Sequence, residues 1–180
     1  MADISGKKIA FLLTNGVEQP ELTQPWAEVE KAGATPVLVS PESGSITAMK
    51  NDWDHADSFD VDVELSEAKA ADYDALVLPG GTVNADQIRV DADAQAFVKA
   101  FFDAGKPVAS ICHGPWVLID AGVASGRTMT SFQSISTDLK NAGVTWVDQE
   151  VVVDDNLVTS RNPDDLDAFC SAFVELVAAT

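Results

Sequence analysis

Short, nearly unbroken apolar runs recur along this chain, each followed by a polar turn and then by a stretch whose apolar residues return every three or four positions. The clearest runs lie within Lys7 to Thr14, Thr35 to Ser40, Ala75 to Leu78 and Pro107 to Ile111. Runs of that length are too short for ordinary helices, and apolar residues at successive positions mark strands buried on both faces. Glu18 to Ala32 is a predicted helix, with Pro20 near its start, Leu22, Trp26 and Val29 along one face and Gly33 as its stop. Ala92 to Ala104, closed by Gly105, is another. Strands and amphipathic helices in alternation require a mostly parallel sheet with helices on both faces. The expected fold is therefore an α/β three-layer, doubly wound sandwich.

The remaining segments fit that frame less evenly. Pro41 to Asp57, with Phe59 to Leu65 after it, reads as irregular chain and hairpin-like excursions, and Ser66 to Ala71 as a short helix. Pro115 is well placed as the first residue of a helix ending near Gly122. After Arg127 to Thr130 come a predicted helix from Ser134 to Ala142, a two-stranded ribbon of Gln149 to Val153 with Leu157 to Ser160, and a final helix from Pro163 to Val177. No internal repeat or linker interrupts the 180 residues, so residues 1–180 are expected to form one domain.

Composition removes several classes of function. There are 29 Asp and Glu against 11 Lys and Arg, a formal net charge of −18, and the three arginines, Arg89, Arg127 and Arg161, are scattered. Binding to phosphate backbones needs clustered cations, so nucleic-acid partners are not expected, nor are anionic membranes. Two cysteines, Cys112 and Cys170, are too few for a disulfide framework and point to a reducing compartment. The first apolar run is shorter than a signal-peptide core. A cytoplasmic location is the expectation.

In doubly wound folds the ligand crevice lies beyond the carboxyl ends of the strands. That directs attention to three loops: Asn15 to Glu18, Pro79 to Thr82 and Cys112 to Gly114. Ser110-Ile111-Cys112-His113-Gly114 places a cysteine between a buried strand and a helix opening, with small residues two positions to either side. This is the outline of a nucleophile elbow, a strained turn that tolerates little flanking bulk. A helix N-terminus beneath the sulfur is expected to favour thiolate. Cys170, by contrast, shares one helical stripe with Leu166, Phe169, Phe173, Val174 and Val177, and reads as packing. His113 adjoins the thiol and is a candidate base or lining residue. Glu18 projects from the end of the first strand and is the candidate proton-holding carboxyl, although a first-turn glutamate also suits the helix dipole. Gly80, Gly81 and Gly114 are the positions where backbone can approach an oxyanion or substrate. His55 lies in a polar stretch, and two histidines with no suitable cysteine partner do not make a zinc site; no metal is expected. The absence of GxGxxG removes a dinucleotide fingerprint.

Taken together, Gly16-Val17-Glu18-Gln19-Pro20-Glu21-Leu22, Leu78 to Asn84, Ile111-Cys112-His113-Gly114-Pro115-Trp116 and the Thr159-Ser160-Arg161-Asn162-Pro163-Asp164-Asp165 block resemble the PfpI family of so-called intracellular proteases, within the class I glutamine amidotransferase-like superfamily. The resemblance covers essentially the whole chain. It implies a flavodoxin-like sandwich, Cys112 as nucleophile with His113 beside it, Glu18 hydrogen-bonded to the sulfur, and N–H groups of Gly81 and His113 as oxyanion donors. It also implies homo-oligomers, at least dimers, in which an acidic residue reaches a neighbour's histidine, and Asp86 is the nearest match. Phe132 stands where some relatives carry tyrosine. The activity implied is that of a cofactor-independent cysteine enzyme of glyoxalase or deglycase type, acting on methylglyoxal or its early adducts. A cysteine peptidase or amidase, and a redox-sensing or chaperone-like stress protein, are the alternatives.

Overall fold

The structure, a computed structural model, describes residues 2–180. In chain order the strands and helices are β1 (Lys8–Leu12), α1 (Gln19–Lys31), β2 (Thr35–Ser40), β3 (Ser45–Lys50), β4 (Asp54–Asp60), β5 (Val63–Glu64), β6 (Ala75–Leu78), α2 (Thr82–Arg89), α3 (Ala92–Asp103), β7 (Val108–Ile111), α4 (Pro115–Asp120), β8 (Thr128–Met129), α5 (Ser136–Asn141), β9 (Thr145–Trp146), β10 (Val151–Asp154), β11 (Leu157–Ser160) and α6 (Leu166–Ala178). Seven strands form the main sheet in the order β10-β11-β7-β6-β1-β2-β5. All neighbours run parallel except β10, which returns antiparallel to β11 as an edge ribbon.

Alternation along the strands explains the layers, because successive side chains leave a strand on opposite faces. Ile9, Phe11 and Leu13 join Val77, Ile111 and Val158 on one face, under Leu22 and Val29 of α1 and Phe169 and Phe173 of α6. Ala10, Leu12, Leu76, Leu78 and Val108 face the other way, against Ile88 of α2, Phe97 and Phe101 of α3, Leu118 of α4 and Leu139 of α5. The mostly parallel, two-faced α/β sheet expected from the sequence is what forms. Chain order reverses at β1, which has β2 on one side and β6 on the other. The crevice therefore opens beyond the carboxyl ends of β1, β6 and β7.

Three segments depart from expectation. Pro41 to Asp57 is more regular than expected: the hairpin-like excursion is β3 paired with β4 from Ser45 to Asp60. Only β3 buries an alternating pair, Ile46 and Ala48, while β4, Asp-His-Ala-Asp-Ser-Phe-Asp, has no buried position and too few β-formers to announce itself. The chain after it supplies β5, which adds to β2 in parallel rather than closing a hairpin. Ser66 to Ala71 resolves into two separate 3-10 turns, Leu65–Glu67 and Ala70–Asp72. Helix α2, absent from the sequence reading, is built from modest formers and held by buried Asn84, Ala85 and Ile88. No helix among the described residues is long and apolar enough to cross a membrane.

Candidate active site

Cys112 follows β7 directly and has a φ of 62°, the left-handed conformation that a non-glycine residue seldom adopts. The turn holds it there from both sides. Its N–H donates to Ser160 O at 3.1 Å, extending the ladder to β11, and its carbonyl accepts the Phe132 N–H at 2.9 Å. Gly114 closes the turn by donating its N–H to Ile111 O at 2.9 Å. A Cβ on Gly114 would lie 2.6 Å from Leu78 O, and one on Gly80 would lie 2.7 Å from Cys112 Cβ, so both positions are glycine because the elbow leaves no volume there. This corrects part of the expectation for these glycines. The Gly80 N–H donates to Glu21 Oε2 at 2.6 Å, and with Gly114 also engaged, neither N–H is available to an oxyanion. The Gly81 N–H is close enough to the Cys112 sulfur to work against the rise in its pKa.

The carboxyl beside the sulfur belongs to Glu21, not Glu18. Glu21 is completely buried beside the Cys112 side chain, and its other oxygen, Oε1, has no hydrogen-bond partner. Burial raises its pKa to about 8, against the bond from Gly80, so at neutral pH it is mainly protonated and has an O–H to offer the sulfur. Burial likewise pushes the Cys112 thiol up, and a charged Glu21 adds to that effect. A proton on Glu21 removes that second contribution. The expected thiolate bias from the following helix is outweighed, since α4 has only six residues and the sulfur is enclosed.

Glu18 sits at the N-cap of α1 and turns the other way. Its Oε1 and Oε2 accept the N–H groups of Asn51 and Asp52 at 2.8 and 2.9 Å, clasping the β3–β4 turn. Those two residues have φ of 56° and 57°, which brings their N–H groups together on one carboxylate. Asp52 in turn accepts the N–H and the O–H of Thr82, at 2.7 and 3.0 Å.

His113 is buried, and because Cys112 is left-handed the two neighbours face one another, with Nδ1 3.2 Å from the sulfur. Its other nitrogen, Nε2, lies 3.4 Å from Thr82 Oγ1 and 3.2 Å from Ser134 Oγ. Phe132 stacks on the ring at 4.8 Å and Trp116 meets it edge-on at 5.3 Å. Burial lowers the imidazole's pKa, against the nearby charge of Asp52, so the ring is neutral at pH 7. Asp86 is exposed on α2, and the acid that reaches toward His113 within the chain is Asp52, through Thr82. Cys170 is buried in the α1/α6 layer, where desolvation raises its thiol to about 12.

Sequence reasoning missed Glu21, Asp52, Thr82 and Ser134 as site residues. Glu21 had a signal: with Pro25 and Val29 it forms an i, i+4 series on the apolar side of α1, a buried acid among core positions. Asp52 and Thr82 had none, for their contact spans 30 residues.

An elbow that holds a buried thiol between a histidine and a buried carboxyl, at the switch point of a parallel sheet, defines an α/β sandwich with a cysteine as its candidate nucleophile. Similarity to known proteins narrows the class: a model described as the DJ-1/PfpI family matches residues 7–176, and the chain belongs to that family. It is 44% identical over 170 residues to Deglycase PH1704 of Pyrococcus horikoshii, covering 94% of this chain and 99% of that one. It is 43% identical over 174 residues to Protein/nucleic acid deglycase 2 of Escherichia coli, covering 96% and 99%. It is also 44% identical over 163 residues to YraA of Bacillus subtilis, whose name proposes a cysteine protease, covering 91% and 94%. Among solved structures, Drosophila melanogaster DJ-1beta superposes with a TM-score of 0.86 at 27% identity, covering all of this chain and 92% of that one. A two-domain protein from Anabaena variabilis, with dj-1/thij/pfpi-like and ferritin-like domains, gives 0.88 at 36% identity; the match covers 94% of this chain and 47% of that one.

Proposed function

We propose that the chain is a cofactor-independent cysteine enzyme of deglycase or glyoxalase type, acting on methylglyoxal or its early adducts. The observation that carries this reading is the buried Glu21 beside Cys112, a carboxyl whose pKa of about 8 lets it give or take a proton near neutrality. The deglycase names of relatives 43–44% identical over nearly the full chain support it.

In this mechanism the Cys112 thiol gives its proton to His113 Nδ1 and the sulfur adds to the aldehyde carbon, forming a hemithioacetal whose oxygen takes the proton of Glu21 and leaves that residue a carboxylate. The Gly81 N–H is the candidate donor to the developing oxyanion. Glu21 removes the hydrogen from that carbon and returns one to the adjacent carbon, which converts the hemithioacetal to a lactoyl thioester. Water then cleaves the C–S bond, releasing lactate and restoring the thiol. The net change is methylglyoxal plus water to lactic acid, so no external electron carrier is required.

The test is lactate formation from methylglyoxal by wild type, Cys112→Ala and Glu21→Gln. The expected result is loss of turnover in both variants, by about 100-fold or more. Turnover that survives Cys112→Ala sinks the reading. The name of YraA favours peptide cleavage as a second reading, and casein hydrolysis that depends on Cys112 in a protein inert toward dicarbonyls would establish it instead. The whole chain acts as one catalytic domain in this account, in the cytoplasm, as a dimer or larger homo-oligomer with Asp86 offered to a neighbour's His113. Sedimentation velocity tests the assembly.

A further inference from the structure

Gly81, the N-cap of α2, has no side chain to cap that helix, and Asp52 does so from the β3–β4 turn by accepting the Thr82 N–H. The same carboxylate accepts the Thr82 hydroxyl at 3.0 Å. A carboxylate is acceptor-only, so that bond uses the one proton the hydroxyl has. Thr82 Oγ1 can then only accept from His113 Nε2, 3.4 Å away. Ser134 Oγ, 3.2 Å from the same nitrogen, can serve either as donor or as acceptor and follows the ring. With Nε2 carrying hydrogen, the neutral ring presents a bare Nδ1 to the sulfur 3.2 Å away.

We propose that Asp52 and Thr82 are positioning residues that fix the tautomer of His113, supplying from within the chain the third group that orients the base. Glu18 belongs to this device, since its clasp on the Asn51 and Asp52 N–H groups sets where Asp52 stands. The logic is that of an acid orienting a catalytic histidine, with a hydroxyl inserted between them. The catalytic part rests on the proposed role of His113 as base, whereas the tautomer itself does not.

Asp52→Asn separates this role from simple capping. The asparagine carbonyl still accepts the Thr82 N–H, but its NH2 faces Oγ1 and donates to it. The Thr82 proton, released from the carboxylate, then turns to the nearby Nε2, which favours the ring hydrogen on Nδ1. Nitrogen-15 NMR of histidine-labelled protein reads this directly, because the chain has only two histidines and His55 is exposed. The expected spectrum shows His113 protonated at Nε2 in wild type and in Thr82→Ser, and at Nδ1 in Asp52→Asn. With iodoacetamide as probe, Cys112 alkylation followed by peptide mass spectrometry should slow at least tenfold in Asp52→Asn, and kcat should fall about 100-fold with little change in KM. A wild-type ring protonated at Nδ1, or a folded Asp52→Asn with an unchanged ring, overturns the proposal. The wild-type spectrum decides even where the variants fold poorly. An Nε2-protonated ring in a protein that makes no lactate supports the relay and sinks only the proposed reaction.

Discussion

Glu18 and Glu21 stand three residues apart at the start of α1, and their surroundings give them different chemistry. Glu18 accepts two backbone N–H bonds at the crevice wall, whereas Glu21 is enclosed against the sulfur with one oxygen unpartnered. Glu18→Gln should therefore leave Cys112 chemistry impaired but present, because its effect passes through the turn and Asp52; side-by-side kcat values for Glu18→Gln and Glu21→Gln check this, with the larger loss expected in Glu21→Gln. Stability carries a second signature. Between the ordinary 4.5 and about 8, folded Glu21 holds a proton that the unfolded chain has lost. The folded state binds more protons in that window, so stability falls as pH rises, by about 1.4 kcal/mol per unit at the steepest. Urea unfolding at stepped pH should show this slope in wild type and its loss in Glu21→Gln. Cys112 and His113 were legible in the sequence because strand, cysteine, histidine, glycine and proline are contiguous. Glu21 and Glu18 were confusable because distance along the chain cannot say which way a side chain leaves the first helical turn.

The elbow between β7 and α4 depends on missing atoms as much as on present ones. A Cβ on Gly114 would meet Ser110 Oγ at 2.6 Å and Ile111 O at 2.9 Å, while Gly122, at the other end of α4, has open space around it. Gly114→Ala should cost about 1–3 kcal/mol from overpacking. Gly122→Ala, with only its φ of 72° to strain, should cost about 1 kcal/mol. Chemical denaturation of the two variants compares them directly. Elements that bury both faces, such as β6 and β7, could be read from their apolar runs. The β3–β4 hairpin could not, because its outer strand is polar and takes its conformation from Ile46 and Ala48 across the ladder rather than from its own residues. Yet that hairpin's turn delivers Asp52, so the part of the site hardest to read lies on the element hardest to read.

At the scale of the molecule, a net charge of −18 leaves the folded chain repelling itself. Only six ion pairs join its described side chains, and just one of them, between Arg161 and Asp165, includes a buried carboxylate. Added salt screens the repulsion more than it weakens those pairs. The midpoint of thermal unfolding should rise between low salt and about 0.5 M sodium chloride; a fall would mean the surface pairs outweigh the repulsion. The order of layers was legible at this scale because alternating strands and helices admit few topologies, but contacts between loops were not. Those contacts are close. Gly81 lies against the backbone of Val17 and Glu18, Gly16 against Val83, and Asn84 accepts the Thr14 N–H while donating to Gly80 O. At the opposite end of the sheet Gly105, before β7, has open space where a side chain would stand. An inserted reporter peptide thus has room at Gly105 and none at Gly81, where any added atom meets the loop that carries Glu18.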